Sequence, residues 1–400
     1  MTATGEDATS KWRTSQRPLV MHIIPALVQG GAERWLVELK RLDRDRDHQI
    51  VTLAGTAEFD INGQPVPHAG LGLPRSRWSA LAVPFAALRL VRLIRSQKPQ
   101  VVVGWLYYGA LMTIVASLMR RPVVWSLHAA DFDIRQSFRW PTRLAIRACG
   151  ALSGRVPTTI HYCSEAGRRT HSEIGFDTRQ SIVIANGVDL AAFTPAKTER
   201  SSRDEVRVIG CAARFDPQKD LPTLFNALAV LKARGRAVRL RLAGSRCTST
   251  NAALVTMLRA AGVDGDVDLL GQLADMPAFY HSIDTVALSS SYGESLPIVL
   301  LEALACAVPV VATDVGDCRV LVDRFGIIVP PREPQSFADA LEQALWQDLA
   351  LQARVRAGAR AHMEANYAAP QIARRWGAML DAAAGITARG MSAPTGPGAV

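Results

Sequence analysis

Two carboxylates eight residues apart, Glu294 and Glu302, carry the most informative chemistry in the sequence. Glu294 falls in the loop after an expected strand, Thr285–Leu288, and Glu302 lies inside 297–307, an otherwise wholly apolar segment. A helix beginning around Leu296 would put both on about the same face, because eight residues span a little over two turns. A carboxylate there is costly to bury without a partner such as a pair of sugar hydroxyls. The loop amides of Ser295 and Leu296 are expected to point at the same cleft. A capping carboxylate and a buried structural Glu would fit the pattern too. Arg214 and Lys219 flank a Pro-containing turn after the expected strand 206–211. A planar guanidinium fork and an ammonium point charge could clamp a diphosphate there, or both could be solvated loop cations. Gly30 and Gly31 open the first helix, where bare backbone and a helix N-terminus suit a phosphate, although a tight turn needs the same residues. His128 ends the expected strand Val123–Leu127, as a cleft ligand contact or as a core histidine. Three D-x-D triplets, at 45–47, 131–133 and 264–266, have spacing that can hold a metal diphosphate. Such triplets are cheap in sequence space, so no metal is expected.

These residues need a scaffold, and the apolar pattern supplies one. Short β-branched runs alternate with helically spaced stretches: 20–24, 33–42, 48–53, 81–94, 101–105, Val123–Leu127, 160–163 and 182–184. The scheme restarts at 206–211 and continues through 221–234, Val238–Ala243, Ala252–Ala261, 267–269, 276–282, Thr285–Leu288, 296–305, 309–312 and 327–329. Strands alternating with helices imply parallel sheets covered on both faces. The fold class is therefore α/β, with two doubly wound domains facing across a cleft. The expected organisation is a disordered tail over 1–17, an N-terminal domain over 18–195 and a linker over 196–205. A C-terminal domain over 206–370 follows. A helix over 371–388 packs back toward the first domain, and a disordered tail covers 389–400. The uncharged stretch 101–119 is long enough to span a membrane. It reads instead as a buried strand, an interruption at Tyr107, Tyr108 and Gly109, and a short buried helix ending at Arg120. The polar N-terminus carries no secretory signal pattern.

The 400 residues, 48% of them hydrophobic, exclude a mostly disordered chain and allow two domains with separate cores. Six scattered cysteines without a C-x-x-C pair suggest neither a zinc site nor a disulfide framework, and fit a reducing, cytoplasmic compartment. The net charge of +10 is unevenly placed. Residues 1–200 carry 26 basic and 16 acidic side chains, whereas 201–400 carry 20 of each. Between positions 61 and 160 there are 13 basic residues and two acids. Arg135, Arg139, Arg143 and Arg147 recur every four residues, as a stripe on one helix would, and Arg89, Arg92, Arg95 and Lys98 nearly repeat the pattern. A solvated face explains such runs equally well. The lack of neutralising acids favours a basic surface for anionic lipid on the cytoplasmic membrane face.

Together these segments resemble the retaining glycosyltransferases of the two-domain GT-B fold, the group-4 type of bacterial polysaccharide and glycolipid synthesis. The matching stretches are His22 to Arg34, Trp125 to His128, Ile184 to Asp189, Arg214 to Lys219, Leu242-Ala-Gly244, and Glu294 to Asp314. The last, with its Glu-x7-Glu spacing followed by Glu-Ala-Leu-Ala-Cys-Ala-Val-Pro-Val-Val-Ala-Thr, is the most specific. The resemblance implies sugar transfer from a nucleotide-sugar to a glycan or lipid-linked acceptor, with retention and without metal or cofactor. Arg214 and Lys219 would hold the donor diphosphate and Glu302 the ribose. Glu294, with the amides of Ser295 and Leu296, would face the sugar, with His128 beside it. Gly30 and Gly31 would meet the phosphate from the other domain, and Gly244 would belong to the donor site. The family often has Asp after the histidine, where this chain has Ala129. A sugar-nucleotide epimerase would need further acid/base residues in the cleft. A non-enzymatic polyanion-binding protein would need stacking aromatics or a docking motif that the sequence lacks, so no nucleic acid is expected.

Overall fold

The computed structural model describes residues 17–27, 30–54, 60–61, 64–73, 79–132, 134–196, 206–347 and 349–386. Nearly all of the expected N-terminal tail, most of the linker 196–205 and the expected C-terminal tail lie outside those residues.

The first half supplies Leu19–Ile24 (β1), Asp47–Thr52 (β2), Asp60–Ile61 (β3), Gln64–Pro65 (β4), His68–Gly70 (β5), Val101–Trp105 (β6), Val123–Leu127 (β7), Thr159–Tyr162 (β8) and Ser181–Val183 (β9). Strands β1, β6 and β7 are buried at every residue, so helices must cover both of their faces. They form a seven-stranded sheet in the order β5-β2-β1-β6-β7-β8-β9, while β3 and β4 make a separate antiparallel pair. The second half supplies Arg207–Ala212 (β10), Val238–Ala243 (β11), Val267–Gly271 (β12), Thr285–Leu288 (β13), Val310–Thr313 (β14) and Gly326–Val329 (β15). Their order, β12-β11-β10-β13-β14-β15, repeats the same winding. Every pair in both six- and seven-stranded sheets is parallel. In each sheet the order reverses beside its first strand, at β1/β6 and at β10/β13. Loops leaving the carboxyl ends diverge there and open a crevice.

One face of the first sheet carries the helices Ser79–Gln97, Leu106–Met112, Ile114–Leu118 and Trp140–Leu152. The other carries Gly31–Leu42 and the C-terminal helix Ala369–Ala383. That last helix belongs to the first domain in packing although it follows the second in sequence. Its Ile372, Trp376 and Leu380 are buried with Trp35, Leu36 and Trp105, and Arg46 pairs with Asp381. Trp376 lies parallel to Trp105, with centroids 5.3 Å apart.

Several local expectations are corrected. The stretch after β6 is helical from Leu106, so Tyr107, Tyr108 and Gly109 lie within a helix and do not interrupt one. Gly109 is there for close approach: a Cβ on it would sit 2.4 Å from the Ile23 carbonyl oxygen. A second short helix, Ile114–Leu118, follows, and its Leu118 is exposed. No described helix is long and apolar enough to cross a membrane. The Arg135–Arg147 stripe is broken. Arg135 is in the separate helix Ile134–Ser137, and Arg139 precedes the helix Trp140–Leu152. Pro141, lacking a backbone N–H, fits only a first turn, so the helix restarts at Trp140. Only Arg143 and Arg147 share it. Lys98, with φ 50°, has left the helix that carries Arg89, Arg92 and Arg95, as the residue before Pro99 tends to do.

Because Trp376 is fully buried between β-sheet and helix, Trp376→Ala should cost about 3–5 kcal/mol of stability. Urea unfolding followed by circular dichroism measures this, and the loss should register in the first domain despite the residue's place near the C-terminus.

Candidate functional site

The carboxyl ends of the two sheets meet through buried carboxylates, and each carboxylate has a defined partner. Glu302 lies on the helix Ile298–Ala305 and is 1% exposed. Arg34, from the first helix of the other domain, donates to its Oε1 at 2.6 Å, and Tyr280 Oη donates to its Oε2 at 2.8 Å. Glu294 remains in the loop, because helical structure starts only at Ile298, after Pro297. The two glutamates therefore do not share a helix face, and they have separate partners. Lys219 Nζ pairs with Glu294 Oε1, and Ser290 Oγ donates to the same oxygen at 2.6 Å. Burial pushes the Glu294 carboxyl up, but Lys219, Ser290 and Arg214 together outweigh it and hold it below the ordinary glutamate range.

The remaining expected residues surround these pairs. Lys219 ends a single 3₁₀ turn, Pro217–Lys219, that Asp216 caps through the Gln218 amide. Arg214 is half-exposed and bonds Asp216 and Gln218, so both expected cations are engaged by side chains of their own domain. Gly244 follows β11, where its amide donates to Gly271 O at 2.6 Å, and a Cβ on it would meet Ala213 O. Gly30 is the N-cap of the helix Gly31–Leu42, and a Cβ on Gly31 would lie 3.4 Å from Ile298 Cδ1 across the domain seam. The glycine turn thus faces the start of the helix bearing Glu302. Ser295 is buried in the seam, with its Oγ 2.5 Å from Ser164 Oγ, while the Leu296 side chain joins the second core. His128 follows β7 and is half-buried. Burial, then the neighbouring His161, keeps its imidazole well below the usual histidine range.

Four contributors were given no role by the sequence reading: Glu33 and Arg34, which fall in the matched stretch His22 to Arg34, and Tyr280 and Asp317. Asp317 accepts from the Glu165 and Ala166 amides at 2.9 and 3.0 Å, which are the first turn of the helix Glu165–Glu173 in the opposite domain. Asp131, named only as part of a D-x-D triplet, also crosses the seam. Its carbonyl accepts from Gly293 N at 3.0 Å and its Oδ2 from Gly316 N. Gly316 has φ 63° and a Cβ there would collide with Glu294 O, so this close approach requires glycine. Charged residues opposite an unlike charge in the other half would have been the only sequence signal, and that needs the fold first. Among the described residues no group of three or more His, Cys, Asp or Glu is arranged to hold a metal ion; Asp133 lies outside them.

Comparison with known proteins gives a consistent picture. Residues 206–347 match the family profile described as "Glycosyl transferases group 1", and residues 29–192 match "Glycosyltransferase Family 4". The chain is 33% identical over 202 residues to a D-inositol 3-phosphate glycosyltransferase of Salinispora arenicola, covering 45% of each. It is 24% identical over 330 residues to the putative glycosyltransferase EpsF of Bacillus subtilis, covering 75% of this chain and 80% of that one. The chain spans about half the length of the inositol-phosphate enzymes it matches. Among solved structures, Anabaena Alr3699/HepE in complex with UDP-glucose superposes with a TM-score of 0.75 at 21% identity, over 91% of this chain and 99% of that one. The fold is GT-B.

Glu33, in the first turn after the glycines, gives a pH test of the site. Burial raises its carboxyl to about 7, against its own backbone amide and Arg214, which pull it down. Between the unfolded glutamate value near 4.5 and about 7, the folded state holds the extra proton, so this group's contribution to stability falls as pH rises. Glu33→Gln should therefore melt higher than the parent at pH 8, by up to about 3 kcal/mol in stability, and match it near pH 4. Calorimetric melts at both pH values check the sign.

Proposed function

The chain belongs to the group-4 glycosyltransferases of the GT-B fold, and on that premise we propose that it moves a sugar from a nucleotide-sugar to a glycan or lipid-linked acceptor with retention at the anomeric carbon. The observation that carries this reading is the meeting of Gly30, Gly31 and Arg34 from one sheet with Glu302 and the Lys219–Glu294 pair from the other. The donor lies in that seam. Glu302 binds the ribose diol once Arg34 swings away, since a carboxylate that is 1% exposed admits a ligand only when the seam opens. Lys219 and Arg214 neutralise the diphosphate as the glycosidic bond breaks, when charge develops on the leaving oxygen. The glycine turn and the amides of Ser295 and Leu296 complete the donor pocket, with His128 beside the sugar. Cations and helix dipoles carry the leaving-group charge, so no metal is required. Among the described residues of the seam, the carboxylates Glu302, Glu294 and Asp317 are each engaged by a partner, which favours departure and attack on one face of the sugar.

Release of nucleoside diphosphate from a panel of nucleotide-sugars, with membrane extract as acceptor source, tests the reading. Lys219→Ala should cut turnover about 10²-fold or more. Glu302→Gln should weaken donor binding by about 1–3 kcal/mol. NMR of the product linkage should report retention, and EDTA should change little. Normal turnover in the Lys219 variant, inversion, or loss in EDTA that Mg²⁺ restores would each overturn the corresponding part.

The acceptor is met at an anionic membrane. One layer of helices on the first domain turns apolar side chains outward: Leu81, Phe85 and Leu88 are 67%, 69% and 55% exposed, and Trp140 and Leu144 are 72% and 61%. Arg89, Arg92, Arg95, Arg139 and Arg147 are exposed on the same layer, and Arg143 shares a shallow pocket with Trp140, Leu144 and Arg147. Apolar tips set among exposed arginines suit a headgroup interface better than bulk water. Vesicle co-sedimentation should rise with anionic lipid and fall at high salt, and Phe85→Ser with Trp140→Ser should reduce it at least about tenfold, since each buries an aromatic ring. Equal binding to neutral vesicles would leave a soluble acceptor.

A further inference from the structure

Two buried side chains and the half-buried His128 form a hydrogen-bonded row whose protons can be assigned by counting. His161 Nε2 lies 2.8 Å from the Ile184 carbonyl oxygen. A carbonyl only accepts, so Nε2 carries a proton. In a neutral imidazole the other nitrogen, Nδ1, is then an acceptor. Burial drives the His161 imidazole down to about 4, so the ring is neutral at pH 7. Ser126 Oγ sits 3.0 Å from His161 Nδ1 and 2.8 Å from His128 Nε2. The hydroxyl has one proton, and His161 Nδ1 takes it. Ser126 Oγ must therefore accept from His128 Nε2–H, which leaves His128 Nδ1 bare.

The row is held rigidly. Ser126 and His161 are fully buried. Trp105 stacks on the His128 ring at 5.3 Å and 18°, and Trp376 packs against both Trp105 and His161. Trp105 is itself anchored, because its Nε1–H donates to His22 Nδ1 at 3.0 Å. The stack fixes the plane of the His128 ring, and a 180° flip within that plane would lose the serine bond. His128 Nδ1 has no protein partner among the described residues. Three residues further on, Asp131 bonds across the seam to Gly293 and Gly316, so the chain reaches the domain boundary just after the half-buried ring.

We propose that Ser126 and His161 are positioning residues that fix the tautomer of His128, so that its Nδ1 presents a lone pair to a hydroxyl of the bound sugar or acceptor. The inference rests on reading the seam as a glycosyl-transfer site. It adds a selection rule: a ligand group that donates a hydrogen bond is favoured at that nitrogen, and a ligand carboxylate is repelled. Without the row, His128 would partition between two tautomers, and one of them offers a donor where the ligand also has one.

Two measurements test this on the full chain. Long-range ¹H–¹⁵N NMR of the ligand-free protein at pH 7 should find His128 protonated at Nε2 and bare at Nδ1. A proton on Nδ1, alone or in addition, overturns the proposal whether or not the protein transfers sugar. In turnover, Ser126→Ala and His161→Leu should each lower kcat/KM about 10- to 100-fold, the cost of one misdirected hydrogen bond. Ser126→Thr, which keeps the hydroxyl, and His161→Asn, which keeps an acceptor near the place of Nδ1, should recover to within a few-fold. Binding of the nucleoside diphosphate alone should be unchanged in all four. Wild-type kcat/KM in a folded Ser126→Ala protein overturns the positioning role. Absence of transfer by the parent with every donor would instead remove the glycosyl-transfer reading and leave the NMR result standing.

Discussion

A buried carboxylate must have a partner, and for Glu302 and Asp317 a partner comes from the opposite domain. Glu302 has no solvent and is held by Arg34, and Asp317 is held by the first-turn amides of the helix Glu165–Glu173. Breaking one such contact leaves a charge uncompensated in a low-dielectric seam, which typically costs several kcal/mol. The two sheets are thereby fixed with their carboxyl ends facing. The same contacts oppose ligand entry, because the seam that brings Gly31 against Ile298 also seals Glu302. On the proposed function, donor binding would be an exchange, in which hydroxyls and phosphates replace Arg34 and relieve Lys219 of part of its attachment to Glu294.

Behind the seam, polar groups run through the core of the first domain. Besides the row ending at His128, Asp43 lies 3.1 Å from His48, His48 lies 2.8 Å from His22, and His22 accepts from Trp105. Both rows meet at the Trp105 ring, which Trp376 covers from the C-terminal helix. The long return of the chain to the first domain thus has a chemical consequence: the last helix closes the wall against which His128 is set.

Sequence and structure agree where the physics is local and part where it is not. Strands such as β1, β6 and β7 were legible as apolar runs, because a strand covered on both faces needs an apolar side chain at nearly every position. The glycine turn, Glu294, Arg214 and Lys219 stood out in the sequence as unusual residue types after strands, and Glu302 as a carboxylate inside an apolar helix. The arginine stripe failed because four-residue spacing presumes one helix, and Pro141 starts a second. The Glu294–Glu302 alignment failed for the same reason, with Pro297 delaying the helix.

The sequence by itself determined the alternation of strands and helices, the two-domain division and the clustering of chemistry at the ends of strands, since each follows from short-range periodicity and backbone sterics. Only the tertiary structure decided which charge meets which. Arg34 and Glu302 are 268 residues apart, and Lys219 and Glu294 are 75 apart. No periodicity links such positions. The pairing is selected by the cost of leaving either charge alone in the seam, and that cost exists only once two sheets have closed on each other.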